Sequence, residues 1–233
     1  MHLQREIENL KTEILTLGAI VEQRVRESIL AIEKHDESLA KKIIDKDIEI
    51  DRKEVEIEET CLKILALHQP VAIDLRFIIA VLKINNDLER IGDLAVNIAE
   101  RGAFLCTQPP VYGAFNFIDM AAKAQKMLKQ SLDALVNLSA ETARDVCTAD
   151  DEIDAMNRQV YILIQNMIHT NPDQTECLVH LLSVSRHLER IADHATNIAE
   201  DVLYMVEGEI VRHKTEKYQA NLTKNKLKKN KKS

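Results

Sequence analysis

The sequence predicts an all-α protein built from two tandem, pseudo-symmetric three-helix bundles. Three observations support this prediction: helix breakers are few, apolar residues recur at helical spacing, and one segment is repeated within the chain. The 233 residues include only 5 Gly and 4 Pro, with 45% hydrophobic, 30% charged and 3% aromatic residues. This composition is typical of long packed helices, and it disfavours sandwiches, barrels and doubly wound sheets, which need many turns and β-branched strands.

Six long helices account for the chain as far as residue 207. Breakers separate them at Pro70, at Pro109-Pro110 and at Pro172. In the third helix, apolar residues from Phe77 to Ile98 follow each other at alternating steps of four and three, as in helices of a bundle. The predicted helices cover residues 3–34, 37–68, 71–106, 114–139, 142–169 and 173–207.

Two segments 100 positions apart share most of their residues. Leu82–Glu100 reads LKINNDLERIGDLAVNIAE and Leu182–Glu200 reads LSVSRHLERIADHATNIAE, with 11 of 19 positions identical. Because a three-helix unit can enclose one core, the repeat predicts two such units in tandem. We therefore expect a first repeat over residues 1–108, a second over 113–207, and a basic tail over 208–233.

Charge is distributed unevenly along the chain. The tail contains nine Lys/Arg and two Asp/Glu, whereas the preceding 207 residues contain 22 Lys/Arg and 36 Asp/Glu. An acidic body repels nucleic acid and attracts cations or basic partners, so nucleic-acid binding is not expected. The tail itself has three interpretations: solubility alone, contact with anionic lipid, or contact with nucleic acid.

The apolar runs are far shorter than a membrane span, and the N-terminus has no signal pattern. The four cysteines are dispersed, without a Cys-x-x-Cys pair. These features predict a cytoplasmic protein with reduced thiols, which contacts membranes only through its partners.

Acidic and amide side chains follow one face of the third and sixth helices, opposite the apolar stripe. Like charges at i, i+4 destabilise an isolated helix by about 0.2–0.5 kcal/mol per pair, and few cations are interspersed here. An oxygen-lined face that recurs in both repeats predicts bound cations such as Mg²⁺, Mn²⁺, iron or Zn²⁺. If the second helix faces the third across an antiparallel hairpin, their oxygens converge and can hold more than one ion. The predicted metal ligands are Asp47, Asp51, Glu89, Asp93, Asn97 and Glu100 in the first repeat, and Asp150, Asp154, Glu189, Asp193, Asn197 and Glu200 in the second.

Three nearby side chains are candidates to pair with or orient those ligands: Arg90, Arg190 and His194. A ferritin-like di-iron core is disfavoured, because no His has an acid three residues before it and the acids lie opposite the apolar stripe. Two alternatives stay open: a purely structural helical protein with a solvated acidic face, and a metal-dependent phosphohydrolase. The absence of a Gly-rich phosphate loop and of a nucleophile beside a base argues against an enzyme.

The two copies of Leu-Glu-Arg-Ile-(Gly/Ala)-Asp, each followed by Asn-Ile-Ala-Glu, resemble the signature of the PhoU family. The resemblance covers about residues 1–207. It implies two similar three-helix bundles in a cytoplasmic negative regulator of phosphate uptake and of the phosphate-starvation response. It also implies two partners, the ATPase of the high-affinity phosphate transporter and a membrane sensor histidine kinase.

The resemblance further implies multinuclear metal clusters at Glu89 with Asp93 and at Glu189 with Asp193, each completed by the upstream Asp pair. One position departs from the family pattern, because His194 of the second copy, a common residue there, aligns with Leu94 of the first. The two sites are therefore expected to differ in ion number or affinity. The exposed faces of the long helices favour a homodimer.

Overall fold

The computed structural model describes residues 2–109, 111 and 117–208, and they confirm the all-α class. No strand occurs within these ranges. A single 3-10 turn over Pro172–Gln174 precedes the last helix. The helices are α1 (His2–Glu33), α2 (Glu37–Asp45), α3 (Ile48–His68), α4 (Ala72–Cys106), α5 (Phe117–Asn137), α6 (Ala140–Thr170) and α7 (Thr175–Glu207).

The second predicted helix, over residues 37–68, is divided into α2 and α3, so the expectation of one unbroken helix there is wrong. At the division, Lys46 and Asp47 donate backbone hydrogen bonds to residues three positions earlier, which tightens the chain and ends the α-helical ladder. The two pieces also pack in different places. Ala40 and Ile43 of α2 lie in a small apolar cluster, whereas Ile50 of α3 belongs to the main core.

Local signals fix several helix ends. The Asp36 side chain accepts a hydrogen bond from the backbone N–H of Leu39 at 2.9 Å, and the Ser139 side chain caps α6 in the same way. Gly208 follows α7 with φ 73°, a left-handed conformation that glycine adopts without strain. The predicted start of the fourth helix at residue 114 and the tail beyond residue 208 lie outside the described residues.

The core is built on α4 and α7, which pack against each other in antiparallel directions. Contacts of α4 with α1, α2 and α3 complete the first repeat, and contacts of α7 with α5 and α6 complete the second. One apolar cluster runs through both repeats without interruption, and it includes the fully buried residues Leu17, Ile84, Leu128 and Leu188. The division at residues 108 and 113 therefore separates two repeats of sequence that share one core. None of the described helices is long and apolar enough to span a membrane.

A shared core predicts that the two repeats unfold together. Leu88 and Leu188 occupy equivalent positions and are both fully buried, so replacing either with Ala should lower the free energy of unfolding by about 2–5 kcal/mol. Each variant should still show a single transition in denaturant, measured by circular dichroism. The half-exposed Val179→Ala serves as a control with little expected change. A variant in which one repeat unfolds while the other keeps its original midpoint would contradict the shared core.

Candidate functional site

The acids of the first repeat face each other across the seam between α3 and α4. At this seam the helices approach closely, since a Cβ on Gly92 would stand only 2.9 Å from Ile50 Cδ1. One turn or two away, the Asn85 side-chain amide donates hydrogen bonds to the Glu54 backbone carbonyl at 2.8 Å and to Glu54 Oε1 at 3.3 Å. These contacts set the register that places the carboxylates of α3 opposite those of α4.

Repulsion among these carboxylates shows in their pKa values. Burial, followed by the charges of Asp51 and Asp93, raises the pKa of Asp47 above its ordinary value. Burial and then the charge of Asp93 raise the pKa of Glu89, and Asp51 adds to the effect from α3. Acids on both helices therefore act on each other, as the predicted antiparallel hairpin requires.

We call the facing acids of each repeat its acidic strip. Cations near the first strip, which contains Asp47, Asp51, Glu89 and Asp93, compensate this repulsion only in part. The Arg90 guanidinium lies 3.6 Å from Glu89 and 3.9 Å from Asp93, and its side chain is more than half exposed. Arg24 is buried but forms its ion pair with Glu49, at 3.1 Å. Glu89 Oε2 is enclosed by protein and accepts no hydrogen bond. Surface ion pairs at such distances contribute little, so the strip keeps an excess of negative charge.

The second repeat reproduces this arrangement between α6 and α7. Burial, followed by the charges of Asp193 and Asp154, raises the pKa of Asp150 to about 6. Burial and then the Asp154 charge raise the pKa of Asp193, and burial with Asp193 and Asp154 does the same for Glu189. The upstream acids of α6 thus lie against the acids of α7.

The arginines of the second repeat also lie at the edge of the strip. Arg158 stands 3.6 Å from Asp154 along α6, with 69% of its side chain exposed. Arg190 is exposed and lowers the pKa values of Glu189 and Asp193, although burial and the neighbouring carboxylates outweigh it. Both strips therefore combine facing carboxylates with exposed arginines at their edge, one on α4 in the first repeat and several on α6 and α7 in the second.

The two predicted asparagine ligands are placed differently from each other. Asn97 donates to the backbone carbonyl of Asp93 at 2.8 Å, so its side chain stays on the strip side of α4. Asn197 instead donates to Asp87 Oδ1 at 3.4 Å, across the seam between α4 and α7. The two asparagines predicted as matching ligands therefore have different hydrogen-bond partners in the two repeats.

The last predicted ligands, Glu100 and Glu200, lie about two turns beyond the central acids of α4 and α7. Burial, followed by the charge of Glu200, raises the pKa of the Cys147 thiol on α6, so Glu200 lies near that helix. Within the described ranges, no group of three or more His, Cys, Asp or Glu side chains is already arranged to hold a metal ion. The oxygen donors suit hard cations, but the carboxylates would have to turn toward one another when an ion binds.

Sequence reasoning missed a polar network that joins the two repeats at the α4–α7 seam. His194 Nδ1 lies 2.8 Å from Asp87 Oδ1, and Lys83 Nζ lies 3.0 Å from the buried carboxylate of Asp201. Lys83 also stands over the Tyr204 ring, 5.1 Å from its centre. His194, predicted to support the metal ligands, therefore binds the opposite repeat, although its charge also lowers the pKa of Asp193.

A signal for this network was present in the differences between the two copies. Asp87 corresponds to His187, and Leu94 corresponds to His194. Where α4 meets α7, position 87 faces position 194, so the acid of one copy meets the histidine of the other. The reciprocal pair is position 187 with position 94. His187 is half-buried, and burial together with nearby Arg101 lowers its pKa to about 4. Positions that differ between copies thus mark the seam where the copies meet.

The raised pKa of Asp150 predicts how stability depends on pH in metal-free protein. Between about pH 4 and pH 6 the folded state holds a proton that the unfolded carboxyl has lost, so stability is complete below this window and falls as pH rises through it. Asp150→Asn should remove this slope and stabilise the protein at pH 7.5 by about 1 kcal/mol, allowing for the partial exposure of the carboxylate. Thermal unfolding at several pH values measures the effect.

The exposed Asp145→Asn on the same helix provides the control, with no expected change in slope. Loss of stability in Asp150→Asn at pH 7.5 would show that the carboxylate stabilises the fold rather than straining it.

Comparison with known protein families gives a consistent result. The family model described as PhoU domain matches residues 14–102 and again residues 117–202. The phosphate-specific transport system accessory protein PhoU homolog of Clostridium acetobutylicum is 35% identical over 209 residues, which is 89% of this chain and 95% of the relative. The homolog of Aquifex aeolicus is 36% identical over 213 residues, covering 91% of this chain and 96% of the relative.

Two solved structures share the fold. PhoU from Pseudomonas aeruginosa superposes with a TM-score of 0.84 at 33% sequence identity, covering 88% of this chain and 99% of that one. The phosphate transport system regulatory protein PhoU from Streptococcus pneumoniae gives 0.81 at 31% identity, covering 90% and 99%. The repeated signature, the two matches to the family model and the shared helical architecture lead to one conclusion: this chain belongs to the PhoU family.

Proposed function

We propose that this protein is an accessory regulator of phosphate transport, and that it acts by binding rather than by catalysis. The curated relatives carry the name of accessory proteins of the phosphate-specific transport system, and they match this chain over nearly its whole folded length. The observation that carries the proposal is the carboxylate strip, present once on each repeat at equivalent places. A function that requires both repeats accounts for a strip that recurs although it opposes folding.

We further propose that both strips bind metal cations. The ligands nearest the seams would be Asp47, Asp51, Glu89 and Asp93 in the first repeat, and Asp150, Asp154, Glu189 and Asp193 in the second. Asn97, Glu100, Asn197 and Glu200 are outer candidates. All donors are oxygens, which suits iron, Mn²⁺, Mg²⁺ or Zn²⁺ with carboxylate ligands. A bound cation would supply positive charge where burial and neighbouring acids now raise the carboxyl pKa values.

Such a cation would also hold each outer helix in place. α3 and α6 each contact α4 or α7 along the seam that carries the acids, so an ion shared across the seam ties the outer helix to the central pair. In this proposal the ordered surfaces of the two repeats bind the phosphate transporter ATPase and a sensor histidine kinase in the cytoplasm, with the regulator as a homodimer. The result is repression of phosphate uptake and of the starvation response.

The metal proposal predicts that neutral, similarly shaped substitutions abolish ion binding. In the strip variant, Glu89 and Glu189 become Gln, and Asp93 and Asp193 become Asn. After loading with Fe, Mn, Zn or Mg salts and gel filtration, elemental analysis should find stoichiometric metal in the parent and almost none in the variant. The melting temperature of the parent should fall when a chelator is added, because a ligand that binds only the folded state stabilises it.

A control variant removes the same number of negative charges but leaves the strips intact. It carries Gln at Glu8, Glu13 and Glu141 and Asn at Asp145, four exposed acids. It should bind metal like the parent. In cells whose own regulator has been deleted, the control should repress a phosphate-starvation reporter and the strip variant should not, at equal abundance. Normal repression by the strip variant would overturn the metal part of the proposal.

The same preparations separate the alternatives. A melting temperature that changes neither with chelator nor with added metal would favour a purely structural protein. Turnover of phosphate esters by the Mg²⁺- or Mn²⁺-loaded parent, lost in the strip variant, would favour a phosphohydrolase.

A further inference from the structure

An apolar stripe lies on the solvent side of α3. Ile48, Val55 and Leu62 follow each other at seven-residue spacing, which places them on one face, and they are 55%, 50% and 53% exposed. The opposite face of α3 already supplies the core through Ile50 and Ile57, so the exposed stripe is additional to what folding uses. Large apolar residues in a row on a surface helix usually mark a contact surface.

The second repeat shows that the fold does not require this stripe. The register between repeats is fixed by equivalent hydrogen bonds, because Asn85 bonds to Glu54 in the first repeat and Ser185 bonds to Asn157 at 2.7 Å in the second. At the positions of α6 that correspond to the stripe stand three exposed polar residues: Asp151, Arg158 and Gln165. The stripe is thus a property of the first repeat alone.

Acids border the stripe on one side, and the other side carries mixed charge. At 100° per residue, Asp51 and Glu58 lie along the side nearer α4, whereas Glu59 lies along the other side together with the exposed Arg52 and Lys63. In the second repeat, Asp51 corresponds to another acid, Asp154, but Glu58 and Glu59 correspond to Tyr161 and Ile162, so these two acids are confined to the first repeat. An apolar line beside exposed acids fits a basic segment that carries its own apolar residues.

The chain itself contains a segment of this chemistry, in residues 209–233. It holds nine Lys/Arg against two Asp/Glu, and its larger apolar residues are Ile210, Val211, Tyr218, Leu222 and Leu227. About a tenth of this chain has no counterpart in the two solved relatives, since 88% and 90% of it cover 99% of theirs, and the family match ends at residue 202. A contact made by this tail would therefore lie outside the part of the chain that the family model matches.

The tail begins close enough to reach the stripe. Gly208 lies beside Arg76 in the second turn of α4, since a Cβ there would stand 3.5 Å from Arg76 Nη1, and α4 begins at the turn that ends α3. From Leu62 to Ile48 the stripe runs about 21 Å along the helix, whereas 25 extended residues span at most about 80 Å. Length therefore places no barrier between the tail and the stripe.

We propose that residues 209–233 dock on the stripe of Ile48, Val55 and Leu62 in the same molecule, with their Lys and Arg side chains paired to Asp51, Glu58 and Glu59. The apolar contact provides the location, and the charge difference between tail and body provides long-range attraction. Docking makes the two repeats unequal, because the tail covers α3 beside the first acidic strip and leaves the second strip open. Asp51 is also a proposed metal ligand, whereas Glu58 and Glu59 are not, so the contact is tested on metal-free protein.

Zero-length carbodiimide cross-linking of the full chain, followed by mass spectrometry, tests this contact. The protein is first stripped of metal, freed of chelator and diluted so that cross-links form within one molecule. We expect the tail lysines to be joined mainly to Asp51, Glu58 and Glu59. Glu141 and Asp145 provide the internal reference, because they flank Arg144, the ion-pair partner of Glu207, and so lie near the origin of the tail.

An unbound tail would react with those nearer acids instead, and that distribution would overturn the proposal. Raising salt from about 0.1 M to about 1 M shortens the screening length from about 10 Å to about 3 Å, and should lower the yield at α3 several-fold.

A stripe variant separates the apolar contact from charge alone. Ile48→Ser, Val55→Ser and Leu62→Ser together leave every charge in place, and should lower the cross-links to α3 several-fold. The matched control changes three residues of similar exposure elsewhere: Ile118, Leu138 and Val179. Equal cross-linking in both variants would overturn the proposal, with melting temperatures confirming that both remain folded.

Two other binding partners for the tail, a second copy of the chain and a membrane, predict different cross-linking results. If the tail bound a second copy, a mixture of isotope-labelled and unlabelled protein would give tail–α3 cross-links between a labelled and an unlabelled chain. The yield of these cross-links would fall on dilution. If the tail served a membrane, the full chain would sediment with phosphatidylglycerol vesicles and tail–α3 cross-links would be absent without them. Either result would overturn docking within one molecule.

Discussion

The antiparallel packing of α4 on α7 is the contact on which the rest of the structure depends. The apolar face of each helix packs into one shared core, in which Ile84, Leu88 and Leu188 are fully buried. Polar pairs between Lys83 and Asp201 and between Asp87 and His194 fix how the two helices align, because a shift along the seam would leave a carboxylate desolvated without its partner. The two repeats are therefore held in one relation to each other.

The packing of α4 against α7 determines where their acidic residues can lie. With one side of α4 and α7 buried in the seam, the acidic positions at i and i+4 fall toward the flanks, where α3 and α6 return along the same helices. Each outer helix adds its own Asp pair, and burial, followed by neighbouring charges that include the facing Asp93 and Asp193, raises the pKa values of Asp47 and Asp150. Close approach at Gly92 strengthens this effect, since it draws α3 onto α4 beside the acids. On both flanks, burial and neighbouring acids thus disfavour the ionised carboxylates, and in the proposed function a bound cation offsets this effect.

Much of this arrangement could be predicted from the sequence, because it follows from periodicity and repetition. Apolar spacing predicted α4 and α7, the repeat predicted that the second half copies the first, and short connections required antiparallel hairpins that bring Asp47 toward Asp93. Other features depend on contacts that no local pattern reveals. The division at Lys46 has no Gly or Pro to mark it, because it arises where α2 and α3 pack in different clusters. Asn197 turns away from the acids because Asp87, on the opposite repeat, offers it a partner.

The central claim is that both flanks are cation sites, and anomalous X-ray scattering from crystals soaked in Mn²⁺ or Zn²⁺ tests it most directly. The account predicts metal peaks on both flanks: one set between α3 and α4 at Asp47, Asp51, Glu89 and Asp93, and one between α6 and α7 at Asp150, Asp154, Glu189 and Asp193. Crystals of the strip variant should lose both sets. Saturating metal that leaves both seams empty, or that binds only elsewhere on the surface, would contradict the account.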